Sequence, residues 1–356
     1  MKKLMKLVTP LVLLMVLMVG CAAAPKGEVK NRYQNTFFEY FDTVITVIGY
    51  TDTQEEFDAH FAEIKEEFKR LHELYDIYNS YEGVNNVKTI NDLAGIEPVP
   101  VDESLMDLLK VSMDWYGRTN GKANIAMGSV LRVWSSYRDD AEFDPNMAEI
   151  PPMELLEEKA QHMDMEKIIL DEENGTVYLE DPHMSLDVGA IAKGYAAELV
   201  AQKMKAKGFT NLIISAGGNI RALDGPLDGV RQRWGIGIQN PDETIFTDSA
   251  SLDTVFGNNL SVVTSGDYQR YYVVDGQKYH HLIDPETLMP GTQFKAVTVV
   301  MEDSGLADFF STTLFLSTLE EGKEMLKLVE DSYAVWVTHD NEVILSEGFS
   351  SILRSG

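Results

Sequence analysis

Apolar and polar positions follow two rhythms along this chain. Phe57, Phe61, Ile64, Phe68, Leu71, Leu74 and Tyr78 recur at helical spacing behind Thr53-Gln-Glu-Glu56, which reads as a capping box. This predicts a long amphipathic helix against a core. A second helix is expected over 105–116, one from about Ile191 to Lys207 with Gly208 just past its end, and two more over 305–316 and 320–329. The other rhythm is that of strands. Residues 37–50 are aromatic and β-branched and read as one strand with Asp42-Thr43 inside it; 234–241 alternates, and 262–268 and 296–301 are further strands. Hairpins are expected at Asn174-Gly175, between strands near 167–170 and 176–179, at Asp275-Gly276, and between 333–338 and 342–345. Residues 79–100 show no strong period and are expected to be loop; 119–134 is punctuated by glycine and ends on a buried Trp134; the acidic, proline-bearing stretch 136–164 is expected as a surface excursion. Strands, helices and hairpins mixed in this way predict an α+β fold with largely antiparallel, mixed sheets and flanking helices.

The beginning of the chain reads differently. Lys2, Lys3 and Lys6 precede an apolar run over residues 7–19, followed by Gly20 and Cys21, the single cysteine. A basic start, a short apolar stretch and small residues at the cut describe a secretory signal over 1–20 rather than a membrane span. The place of Cys21 resembles a lipobox, which implies lipidation there and a protein held on the extracytoplasmic face of the cell membrane by its lipid. Residues 21–35 are expected to be a tether and 36–356 the folded domain. One cysteine excludes a disulfide within the chain.

The formal net charge of −27 argues against nucleic acid as a partner and against binding anionic lipid by charge. An acidic chain that handles phosphate needs a local positive remedy, and a divalent metal is the expected one.

Candidate chemistry gathers around Ser185-Leu-Asp-Val-Gly-Ala-Ile-Ala-Lys-Gly-Tyr195. A strand-like segment, a Gly-Ala turn and a helix start place unpaired amides and the positive end of a helix dipole near Asp187 and Lys193, an arrangement that attracts anions. Ala216-Gly217-Gly218-Asn219 then forms a turn where backbone can approach a ligand. Asp308 and Thr312 stand one helical turn apart, offering the carboxylate and neutral oxygen that Mg²⁺ accepts, although such pairs are common in helices. His281 lies beside His280, and which of the two is functional is left open by the pattern. Asp267 and Asp284 are candidates to orient a histidine or bind metal.

These motifs, D-x-G-x-I-A-K-G-Y, G-G-N, Thr264-Ser-Gly-Asp-Tyr268, His281-Leu-Ile-Asp-Pro285 and Ala307-Asp-x-x-x-Thr312, in this order, resemble the signature of the ApbE family, the FAD:protein FMN transferases, over about residues 37–338. The resemblance implies an ApbE-like, T-fold-related architecture and an enzyme that cleaves FAD and attaches FMN to a Thr or Ser hydroxyl of an acceptor redox protein, releasing AMP. It implies Mg²⁺ on Asp308, Thr312 and the Ala190 carbonyl, flavin contacts from Phe41, Tyr78, Lys122, Ala123, Asn124, Asp187, Lys193 and Ile283, and catalysis by His281 with Asp284 and Asp267 in support. Phe41-Asp42-Thr43 stands where Met-Gly-Thr is usual, Asn124 where aspartate is common, and Glu198 where aspartate is common. The alternatives are an FAD pyrophosphatase giving FMN and AMP, or a flavin-binding lipoprotein without catalysis.

Overall fold

Strand alternation builds the centre of the fold. In the computed structural model, which describes residues 28–243 and 250–356, β1 (Asn31–Phe37) and β2 (Ile45–Thr51) form a hairpin. A short sheet of β3 (Val99–Pro100), β4 (Ile168–Asp171) and β5 (Thr176–Leu179) lies apart. β6 (Leu212–Ala216) and β7 (Asn219–Leu223) flank the glycine turn. β8 (Trp234–Gln239) pairs with β9 (Ser251–Gly257), and β11 (Tyr271–Val274) with β12 (Gln277–His280). With β10 (Leu260–Gly266), β13 (Phe294–Met301), β14 (Tyr333–Thr338) and β15 (Val343–Leu345), the main sheet has eight strands in the order β1-β2-β6-β7-β10-β13-β14-β15. Every pairing within it is antiparallel.

The sheet is covered on both faces. Leu212, Ile214, Val263, Val299 and Trp336 point into the larger core, while their neighbours Ile213, Val262, Val300 and Val335 point into a second core with Trp234, Ile236 and Phe349. Successive side chains of a strand alternate sides, so a strand buried on both faces reads as a nearly continuous apolar run, as residues 296–301 do with Thr298 the one interruption. Each large side chain taken from water here contributes about 1.5–3 kcal/mol.

Eight helices complete the fold among the described residues: α1 (Gln54–Tyr75), α2 (Val87–Asp92), α3 (Glu103–Arg118), α4 (Gly128–Phe143), α5 (Met153–Ala160), α6 (Ala192–Ala206), α7 (Ser304–Phe315) and α8 (Leu319–Leu326). Thr53 caps α1 by accepting the Glu56 amide, and the Glu56 carboxylate reaches back to the Asp52 amide at 3.0 Å. α7 is buried on every side, and α6 packs across it against the larger core. At that crossing a Cβ on Gly194 would stand 2.2 Å from the Ser304 carbonyl oxygen, so the backbones approach as only glycine permits.

Four expectations need correction. Residues 37–50 are not one strand: the chain reverses over 38–44, with Phe41 and Asp42 at φ of 58° and 48° and the Phe41 amide donating to His72 Nδ1. The aromatic, β-branched composition conceals this turn, because neither central residue is glycine. The folded domain begins before residue 36, since β1 pairs with β2 from Asn31 onward. Residues 79–100 contain α2, held by a capping box from Asn86 and Thr89. The stretch 136–164 does lie mostly at the surface, and only its helical content is unexpected: it carries the end of α4 and all of α5, whose Leu156 is fully buried. The signal, the lipidation residue Cys21 and the first seven residues of the expected tether lie outside the described residues. Among the described residues no helix is long and apolar enough to cross a membrane.

Candidate active site

A cleft opens where α6, α7, the β6–β7 turn and the segment after β12 converge. Its floor begins with an extended segment. The Asp187 amide donates to the Ile125 carbonyl at 2.8 Å and the Gly128 amide to that of Ser185 at 2.9 Å. Only a single bridge, Met127 to Ser185, joins these stretches, so this segment is not the regular strand its sequence suggests. Gly189 and Ala190 then turn the chain into α6, whose start carries no side-chain cap. Lys193, in its first turn, lines the cleft.

Opposite stands α7. Asp308 and Thr312 project from one face into the cleft, 4% and 8% exposed. Asp308 Oδ2 accepts the Gly194 amide at 2.8 Å, which ties the two helices at the point of closest approach. Ser265, at the end of β10, lies 2.8 Å from the Ser311 hydroxyl and 3.3 Å from that of Thr312. Burial pushes the Asp308 carboxyl up, against the opposing pull of Lys193, the Gly194 amide and Asn219. Asp187 is raised for the same reason, opposed by the Gly189 amide, Arg270, Lys193 and Arg132. Buried Asp308 and half-buried Asp187, with a hydroxyl and the Ala190 turn in the same cleft, offer the oxygens that a hard divalent cation accepts. Among the described residues no three His, Cys, Asp or Glu side chains gather as a metal cluster. A cation here would therefore depend on neutral oxygens and on phosphate, as Mg²⁺ commonly does.

The two histidines differ in kind. His280 is buried, with Nε2 2.8 Å from the Gly291 carbonyl and Nδ1 accepting the Leu282 amide at 3.2 Å. Both ring nitrogens are occupied, so His280 braces the chain. His281 lines the cleft. Its Nδ1 lies 3.3 Å from the Arg270 carbonyl, and because a carbonyl only accepts, Nδ1 carries the proton and Nε2 keeps its lone pair. Surrounding protein, with Arg270 and Lys193 nearby, pushes the imidazole down to about 3, leaving it neutral at ordinary pH.

Tyr78, Lys122, Ala123, Asn124 and Ile283 also line the cleft. Lys122 Nζ is held by Asp284 at 2.9 and 3.0 Å and by Glu286 at 3.1 Å. Burial draws this ammonium down, but the two carboxylates outweigh it and raise it. Asp284 thus anchors Lys122 and does not reach His281 through a hydrogen bond. The Asn124 side chain is spent on the backbone, donating to Met163 O at 3.0 Å and accepting the Ala126 amide at 2.7 Å.

Two expected site residues are not brought together with the rest. Asp267 faces a separate cavity beside His280, 3.8 Å from Lys278. Its backbone follows Gly266, which lines the cleft, so alternation along the extended chain sends Asp267 to the other side. Phe41 packs at ring distances of 5.5 Å from His72 and 6.2 Å from Phe68 and is not in the cleft lining.

Arg138 and Arg270 line the cleft and were not singled out as site residues from sequence. With Lys193 they provide the local positive charge that an acidic chain needs. Arg270 had a signal, its register opposite His281; Arg138, on a helix, had none.

Comparison with known proteins follows the same lines. The ApbE family profile matches residues 41–336. The FAD:protein FMN transferase of Klebsiella pneumoniae (strain 342) is 32% identical over 270 residues, covering 74% of this chain and 78% of that one. That of Treponema pallidum (strain Nichols) is 31% identical over 277 residues, covering 74% of each. The crystal structure of the ApbE protein from Thermotoga maritima superposes with a TM-score of 0.77 at 26% identity, over 90% of this chain and 99% of that one. The apo flavinyl transferase ApbE of Pseudomonas stutzeri, at 22% identity and a TM-score of 0.74 over 92% and 98% of the two chains, shares the fold.

Proposed function

The chain belongs to the ApbE family, and from that premise we propose that it is an FAD:protein FMN transferase, cleaving FAD and leaving FMN in phosphoester linkage on a Thr or Ser hydroxyl of an acceptor redox protein, with AMP released. The observation that carries this reading is the meeting of Asp308, Thr312, Ala190, Lys193 and His281 around one cleft.

The chain's own groups suit the reaction. The acceptor hydroxyl must lose its proton as its oxygen bonds to the flavin-side phosphorus; the bond from that phosphorus to the AMP phosphate oxygen breaks, and AMP leaves. His281, neutral with Nε2 open, takes the proton. Lys193 and Arg270 face the charge that develops on the diphosphate. Tyr78 and the Lys122-Ala-Asn124 wall would flank the flavin ring. Asp308, Thr312 and the Ala190 carbonyl would hold Mg²⁺, which when bound supplies charge neutralisation at the diphosphate. From the sequence of residues 1–35 we propose attachment by lipid at Cys21 and residence on the outer face of the cell membrane.

Incubation with FAD, Mg²⁺ and a candidate acceptor tests this. Covalently flavinylated acceptor with equimolar AMP supports transfer. Free FMN with AMP and an unmodified acceptor identifies a pyrophosphatase, and intact FAD identifies a flavin-binding lipoprotein.

A further inference from the structure

Directly beneath the cleft floor lies a second polar layer that repeats it. On this side the cleft is lined by Asn219 and Asp308, and the Gly194 amide holds Asp308 from below. One helical turn along α6 from Gly194 is Glu198; one turn back along α7 from Asp308 is Ser304; and the next same-face position on β7 after Asn219 is Arg221. These three also meet. Glu198 Oε2 lies 2.8 Å from Arg221 Nε and accepts the Ser304 amide at 3.0 Å, while Oε1 accepts from Gln202 at 2.5 Å and from Arg221 at 3.3 Å. Arg221 is fully buried and Glu198 is 7% exposed. The first amide of a helix has no partner within the helix, so the Glu198 carboxylate fixes the axial position of α7 from its first residue.

Resting on the divalent-cation reading of the cleft, we infer that Glu198 is a positioning residue for the cation ligands: clamped by Arg221 and bonded to the Ser304 amide, it sets how deeply α7 presents Asp308 and Thr312 to the Ala190 turn at the start of its own helix. A carboxylate that served stability alone would need only Arg221. The bond to the first amide of the ligand-bearing helix is what gives it purchase on the site. The α6–α7 crossing at Gly194 is backbone against backbone, with no flexible side chain to absorb a displacement.

Two variants test this. Ser304→Pro removes the one amide that Glu198 holds. Proline is accommodated at the first helical position, the preceding Asp303 is already extended at φ −76° and ψ 123°, and the Ser304 hydroxyl has no hydrogen-bond partner to lose. Glu198→Asp keeps the charge paired with Arg221 but shortens the reach to α7. Mn²⁺ binding is read by electron paramagnetic resonance with FAD present and no acceptor, alongside FAD binding in EDTA and the melting temperature. Both variants are expected to weaken Mn²⁺ binding about tenfold, as loss of a group that orients a metal ligand does, with FAD binding in EDTA unchanged. Variants that fold and bind Mn²⁺ as the parent does overturn the inference. Should Ser304→Pro melt early, Glu198→Asp decides. A parent protein that takes up no Mn²⁺ overturns the cation reading itself, and the inference with it, which the parent titration alone reveals.

Discussion

The amide of Gly194 and the carboxylate of Asp308 meet at 2.8 Å, and a Cβ on Gly194 would lie 2.5 Å from the Asp308 Cβ. No methyl group fits between them. Gly194→Ala is therefore expected to push α6 and α7 apart, lowering the melting temperature by the equivalent of about 1–3 kcal/mol and abolishing flavin transfer. Calorimetry and an acceptor flavinylation assay on the purified variant check both effects.

Asp308→Asn separates the cost of the buried charge from its use. Burial raises the folded-state Asp308 carboxyl above its unfolded value, so between the two the folded protein binds the extra proton and stability falls as pH rises. In EDTA at neutral pH the neutral variant should melt higher than the parent, and the gap should close as pH drops towards the unfolded carboxyl value. With Mg²⁺ the order should reverse, because only the parent gains from the ion. Melting curves of both proteins across pH, with and without Mg²⁺, decide.

The neighbouring histidines should fail in different ways. His281→Ala is expected to retain stability and FAD binding while transfer drops by about 10²–10⁴-fold, the usual worth of a positioned base. His280→Ala leaves the Gly291 carbonyl and the Leu282 amide unpaired in the interior, costing about 1–3 kcal/mol. Because His281 is pushed down to about 3 in the free protein, kcat/KM should show no acid-side break near the ordinary histidine value of about 6.5. A break there that His281→Ala removes would contradict this assignment.

Lys122 and Asp284 join the cleft wall to the turn after His281. Lys122→Met strands the Asp284 carboxylate and should destabilise by about 3 kcal/mol, whereas Asp284→Asn should cost less, because Glu286 still holds the ammonium at 3.1 Å. The double variant should lose less than the sum, which chemical denaturation of the four proteins measures.

Much of this arrangement is legible in the sequence where a local pattern and a local structure coincide. The helix behind Thr53, the Asn174-Gly175 hairpin and the Asp275-Gly276 hairpin fall close to where period and turn chemistry put them. The reversal at Phe41 and Asp42 is invisible because two non-glycine residues take positive φ, and tertiary contacts with His72 hold them there. The helices α2 and α5 are short, at six and eight residues, and their periodicity has too few repeats to register. The separation of Asp267 from His281 is a matter of which side of an extended chain each faces, and the motif lettering does not carry it.

Asp275 and Gly276, at φ of 50° and 81°, close the β11–β12 hairpin with two residues, and the pairing of Tyr272 with Tyr279 and Tyr271 with His280 follows from that count. At the far end of the same ribbon, odd and even positions decide which imidazole lines the cleft. One residue inserted at the tip would invert that parity, presenting the ring whose nitrogens are already engaged and turning the available base inward. Under the proposed function, the identity of the proton acceptor is in this sense encoded remotely, in the length of a turn outside the cleft lining.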